Sequence, residues 1–312
     1  MELYSWSPDH GLAAWDQETL AIHTYCVFAG VPLSTRYTDN PFWTPNGRFP
    51  LFKHKDEVSL TDFDAVVKYL SRRCNFNVDY NLSPKQKSDS VALNKLLEDK
   101  LLPALVYTLY TDSENFDLVF RPMLAKRLKF PLSFVYIPRY LKEARKLCES
   151  HVGNGEDEVE KALMESVFFT NAQECLEVFS QRLADQKFLF GEQPSSLDAL
   201  LYSYLAPVTK LPLPNNRIKL ILDGQLNLTA YVDNISKSYF PRAAGNSLSG
   251  PSKGSQSNEE DSSPTKQSVE AAKQQRMGNF WALLFAVTAM SGYAYTSGLY
   301  NAFRNIDVFL ED

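Results

Sequence analysis

The sequence predicts a small α/β unit, an all-helical domain, a disordered tether and a single C-terminal transmembrane helix, in that order. Three observations carry this reading. Short strand-like and helix-like patterns alternate near the N-terminus, whereas from Lys85 to Phe240 apolar residues recur at helical spacing with little strand alternation. Phe280 to Tyr300 contains no Asp, Glu, Lys, Arg, His or Pro, over roughly the 20 residues that a helix needs to cross a bilayer core. The boundaries expected are 1–80 for the α/β domain, 84–240 for the helical domain, 241–275 for the tether, 280–300 for the span and 301–312 for a short tail.

Glu2 to Trp6 mixes aliphatic and aromatic residues before the turn signal Ser7-Pro8-Asp9-His10-Gly11, so a strand and then a loop are expected. Asp16 is placed to cap a helix in which Leu20, Thr24, Val27 and Phe28 recur at helical spacing, with Gly30 and Pro32 as the stop. Leu33 to Thr38 is extended. Pro45-Asn46-Gly47 is a turn, Phe49 to Lys53 a strand and Val58 to Leu60 another. Asp62 caps the helix that carries Val66, Val67 and Leu70.

Beyond Leu82-Ser83-Pro84 one helical pattern runs through Leu93, Leu96, Leu97, Leu101, Leu105 and Leu109, and another through Leu163, Val167, Cys175, Leu176, Val178 and Phe179. Pro103 lacks an amide proton and predicts a kink or a restart in the first. Glu156 to Glu160 reads as an acidic helix start, where negative charge is favoured. Pro241 to Gln275 is rich in Ser, Gly, Pro, Lys, Gln and Glu and cannot bury enough apolar surface to offset its ordering entropy.

In the apolar run, Phe280, Trp281, Leu283, Leu284, Phe285, Val287, Leu299 and Tyr300 supply the hydrophobic and interfacial residues, and Gly292 and Gly298 fall in weak small-residue packing patterns. A buried core helix is the competing reading. The polar tail after the run implies insertion after synthesis, with the body on the cytosolic side. The N-terminus, MELYSWSPDHG, has neither the basic segment nor the apolar segment of a secretory signal. The sequons at Asn81, Asn227 and Asn234 are therefore expected to be silent.

The 312 residues carry 32 Lys and Arg against 37 Asp and Glu, a net charge of -5, which disfavours nucleic acid as a partner. Cys26, Cys74, Cys148 and Cys175 form no CxxC, and the four histidines, His10, His23, His54 and His151, are scattered. His23 and Cys26 would share a helical face, but two ligands do not make a metal site, so a buried thiol and a core histidine are expected, with no metal and no cofactor. Phe116, Phe120, Phe130, Phe134 and Tyr136 lie in a proline-broken segment as candidates for a surface groove, against core packing.

An α/β unit followed by a helical domain resembles the glutathione transferase architecture, with its thioredoxin-like first domain. Three local features carry the resemblance. Phe49-Pro50-Leu51 stands where the family has a cis-proline opening its third strand. Leu60-Thr61-Asp62-Phe63-Asp64-Ala65-Val66-Val67-Lys68-Tyr69-Leu70 is similar to the run that carries the family's Glu-Ser pair. Ser195-Ser196-Leu197-Asp198 is similar to the capping box of the second domain's core helix, with Asp198 reciprocating. Gly11-Leu12, Tyr25 with Phe28-Ala29-Gly30, Asn40-Pro41-Phe42-Trp43, Leu96 to Pro103, Gln181-Arg182-Leu183, Lys187-Phe188 and Ser203-Tyr204-Leu205 narrow the resemblance to the metaxins, in their membrane-anchored branch. That resemblance implies a mitochondrial outer-membrane protein facing the cytosol. It would work with a second metaxin and with the sorting and assembly machinery that inserts β-barrel proteins.

The resemblance also poses an alternative, a membrane-attached glutathione-dependent transferase. Such an enzyme needs a hydroxyl at the end of the first strand to lower the thiol pKa, for which Tyr4, Ser5 and Ser7 are candidates, against packing and loop capping. It also needs the Glu-Ser pair, and here the acid is Asp62 and the hydroxyl position is Phe63. A phenyl ring cannot donate the hydrogen bond that a bound carboxylate requires, so the expectation is a non-enzymatic scaffold in which Asp62 is a helix cap. Pro50, Ser195 and Asp198 are then structural.

Overall fold

The computed structural model describes residues 1–241 except 39, 56, 129–131 and 153–157. The described residues fall in one compact unit. The expected tether at 241–275, save its first residue, and the expected span at 280–300 lie outside the described residues. Among the described residues no helix is long and apolar enough to cross a membrane.

The chain starts with β1 (Glu2–Ser5), α1 (Gln17–Phe28) and β2 (Ser34–Tyr37), then β3 (Leu51–His54), β4 (Val58–Leu60) and α2 (Phe63–Arg73). The four strands form one sheet in the order β2-β1-β3-β4, with β1 parallel to β2 and antiparallel to β3. Alternation along β1 sends Leu3 and Ser5 into the interior and leaves Glu2 and Tyr4 half-buried on the other face. The Phe49-Pro50 peptide is cis at the entrance to β3. Both expected caps are present: Asp16 accepts from the Thr19 amide at 3.0 Å and Asp62 from the Ala65 amide at 2.8 Å. Gly30 ends α1 at φ +65°, a conformation that glycine adopts without steric penalty.

The helical part comprises α3 (Pro84–Leu96), α4 (Leu102–Val106), α5 (Ser113–Asn115), α6 (Arg121–Arg127), α7 (Leu132–Val152), α8 (Glu158–Leu183), α9 (Ser196–Lys210), α10 (Arg217–Asp223) and α11 (Leu226–Tyr239). Single π-helical turns at Leu97–Leu101, Tyr107–Thr111 and Phe116–Phe120 join the short helices. Pro103 therefore sits in the first turn of a restarted helix, where its missing donor is harmless. On α8 the observed buried line is Met164, Phe168, Ala172, Cys175, Leu176 and Phe179. Leu163 and Val178, expected in that stripe, are exposed at 62% and 42%, because the buried face is set one residue further along in the first turn. Of the expected groove aromatics, Phe116, Phe120 and Tyr136 are buried, Phe134 is exposed, and Phe130 is outside the described residues.

α1 is enclosed almost all round, with Leu20, Ala21, Ile22, Tyr25 and Cys26 buried. Its Gln17 amide donates to the Ser203 hydroxyl of α9 at 3.4 Å. His23 lies on this helix with its ring 5.5 Å from that of Phe240 and its Nδ1 buried without a partner. Burial lowers its pKa from 6.5 to about 4, so the folded form holds it neutral while the unfolded chain takes up a proton below 6.5. The resulting stability is fully present above pH 6.5 and is lost as pH falls toward 4. Relative to a His23→Phe variant, the wild type is expected to lose about 2–3 kcal/mol between pH 7 and 4, read from paired urea titrations. Parallel losses in both proteins would refute this.

Candidate functional site

In this fold a small-molecule site would lie where the end of β1, the loop before β3 and the start of α2 face the helical part. Each expected residue can be located relative to it. Tyr4 points away, on the opposite face of the sheet, and its hydroxyl donates to Glu2 Oε2 at 3.1 Å while Lys53 lies over its ring. Its phenol pKa is raised by the Glu2 hydrogen bond. The Ser5 hydroxyl is buried and donates to the Trp6 carbonyl at 2.9 Å, and Ser7 is half-buried in the loop that follows. Asp62 is exposed, its carboxylate used as the cap of α2. Phe63 is buried, with its ring edge-on to Tyr25 at 6.1 Å. Tyr25 in turn donates to the Phe76 carbonyl at 3.0 Å.

Aromatic rings fill the space between them. Trp6, the residue directly after β1, is 2% exposed and packs against Trp15 at 5.9 Å, Phe49 at 5.0 Å and Tyr136 at 5.8 Å. Trp15 continues to Phe120 at 5.8 Å, and Phe120 to Tyr110 at 5.1 Å. Tyr136 and Tyr140 stack at 5.8 Å. Residues from just beyond the first strand, the first loop, the entry to β3 and three helical segments thus meet in one apolar plug. The hollow beside it, bounded by Asn46, Arg48, Tyr136, Arg139 and Tyr140, measures about 10 Å³, room for about one water. Arg127 of α6 closes the first loop with a 2.6 Å ion pair to Asp9.

The rim is acidic. Asp16 is buried at the start of α1, with Oδ1 lacking a partner, and burial raises its pKa. Glu18 retains exposed surface but is hemmed in by protein on its other sides; that desolvation, then the Asp16 carboxylate, lifts its pKa to about 7, with Asp62 adding to the effect. Three thiols are held inert: burial pushes those of Cys26 and Cys175 up to about 12 and that of Cys148 to about 11. All four cysteines are free, and no group of three metal-ligating side chains occurs among the described residues.

The expected box at α9 is built in full. Ser195 Oγ accepts from the Asp198 amide at 3.3 Å, and Asp198 accepts from the Ser195 amide at 2.8 Å and the Ser195 hydroxyl at 2.5 Å. Two further donors reach its other oxygen, the Leu189 amide at 2.9 Å and the Tyr231 hydroxyl at 3.0 Å. Asp198 is wholly buried, and burial raises its pKa against the pull of those donors. It ties α9 to α11 and to the loop before α9.

Comparison with known proteins follows the same outline. The family described as outer mitochondrial membrane transport complex protein matches residues 19–141, and the glutathione S-transferase C-terminal domain matches residues 172–235. The chain is 36% identical to Metaxin-1 of Mus musculus over 96% of its own length and 90% of that protein. It is 35% identical to Metaxin-3 of Xenopus laevis over 77% of each. Among solved structures, a beta-etherase from Sphingobium aligns with a TM-score of 0.52 at 13% identity, covering 79% of this chain and 98% of that one, a likeness of fold alone.

Proposed function

The chain belongs to the metaxin family, with a glutathione transferase-like fold, and from that premise we propose that it is a non-enzymatic docking scaffold for protein import at the mitochondrial outer membrane. An import-related role at that membrane follows from the family. The finer reading is that it acts with a second metaxin and the sorting and assembly machinery for β-barrel proteins. In this reading the chain is held by a C-terminal span at 280–300, with its domains in the cytosol and 241–275 as the tether. The observation that carries the scaffold reading is the aromatic plug, which occupies with Trp6, Phe49 and Tyr136 the place where a transferase would need open volume.

Phe63 supports the same reading. Glutathione carries two carboxylates, and the pair that would receive one of them is reduced to Asp62, already committed as a cap. Asp62 and Phe63 then mark the remnant of a ligand position, while Pro50, Ser195 and Asp198 serve the architecture.

Crosslinking the native protein in isolated mitochondria, then identifying the attached chains, tests the proposal. A second metaxin and β-barrel assembly components are expected, and recovery of neither would overturn it. Calorimetric titration of the purified chain with glutathione, paired with a thiol-conjugation assay, tests the transferase alternative: no saturable heat and no turnover are expected, and micromolar binding with turnover would establish an enzyme instead. For the anchor, a fluorescent fusion ending at Gln275 is expected to leave mitochondria; unchanged targeting would mean that partners set its location.

A further inference from the structure

The outer face of α7 concentrates positive charge on a chain whose net charge is -5. At about 100° per residue, Phe134, Arg145, Pro138, Glu149, Lys142, Val135, Lys146 and Arg139 fall in one arc of roughly 140°, and all eight are exposed. The opposite side carries the buried Tyr136, Ala144 and Cys148. The arc holds four cations against one acid. Arg139 is partnered by Glu143 at 3.4 Å, and Glu143 is shared with Arg48. Lys142, Arg145 and Lys146 have no ion pair among the described residues. Phe134 and Val135, exposed at 73% and 59%, stand at the N-terminal end of the same face. Open hollows of about 670 and 600 Å³ flank Arg145, the first floored by Pro138 and Leu141, the second by Tyr107, Cys148 and Met164.

We propose that this face of α7 lies on the membrane surface, with Lys142, Arg145 and Lys146 among anionic phospholipid headgroups and Phe134 and Val135 dipping into the interface. Aromatic and aliphatic residues beside a lysine and arginine cluster are the pattern by which a helix rests in the headgroup plane. An acidic protein would complement the cations but would gain less from two large apolar side chains projecting at one end. The proposal rests on the reading that the chain is held at a bilayer. The apolar run Phe280 to Tyr300 would keep the body within reach of the bilayer, and the α7 face would set which side turns toward it.

The test uses the full chain in a Cys74→Ser background, with an environment-sensitive fluorophore on Val135→Cys and, as a control, on Leu220→Cys. Flotation with phosphatidylcholine vesicles, with and without an anionic phospholipid, is read alongside emission. With anionic vesicles the Val135 probe is expected to shift to the blue while the Leu220 probe does not. Lys142→Glu, Arg145→Glu and Lys146→Glu together should abolish that shift and weaken the contact at least tenfold, with unchanged thermal melting as the folding control; added salt should weaken it too. A Val135 probe indifferent to lipid charge, or a shift that survives charge reversal, overturns the proposal and leaves the face to an acidic protein. Flotation with anionic vesicles alone, lost on charge reversal, would overturn the anchor and keep the face. Flotation with neither would overturn both.

Discussion

Asp198→Ala is expected to destabilise the protein by about 5 kcal/mol, against the roughly 5–15 kcal/mol of a typical domain. The substitution removes a buried acceptor and strands the Ser195 amide and hydroxyl and the Leu189 amide, while the Tyr231 hydroxyl keeps only the Asp198 main-chain carbonyl at 3.1 Å. Each is enclosed, so water cannot replace the carboxylate. The loss should appear as a lower urea midpoint with an unchanged slope. Asp198→Asn should fall between the two, because its carbonyl can still serve Leu189 and Tyr231 while its amide opposes the Ser195 N–H. An alanine variant with the wild-type midpoint would mean that this carboxylate does not hold α9 to its neighbours.

That box could be read directly from Ser195 and Asp198, as the caps could from Asp16 and Asp62, because a side chain reaching an amide three residues on is a local event. The cis peptide at Pro50 was accessible only through family resemblance. The π-helical turns before and after α4 were not legible beyond the break at Pro103, since the extra residue in such a turn answers to how neighbouring helices pack. The same holds for α8, where Met164 rather than Leu163 turns inward to meet the body. Trp6, one residue beyond Ser5, stands next to the hydroxyls at the end of β1 and carries no chemical motif of its own. Its position after a strand was visible, and so was the abundance of aromatic residues, but that rings from residues 6, 15, 49, 120 and 136 converge is a property of the tertiary structure.

Trp6→Ala is the direct probe of that convergence. It removes a ring touching Trp15, Phe49 and Tyr136 at centroid distances of 5.0–5.9 Å, and a tryptophan-to-alanine change in a packed core costs about 3–5 kcal/mol. The hole it leaves is lined by aromatic faces, so indole is expected to bind the variant and restore part of its melting temperature while leaving the wild type unaffected. Glutathione should do neither, because the hydroxyl that would receive one of its carboxylates is absent at Phe63. Rescue of Trp6→Ala by glutathione would show that the plug alone stands between this fold and transferase-like binding. Rescue by indole alone, with partner capture retained, would fit a cleft filled for rigidity while the outer surfaces of the body hold other proteins.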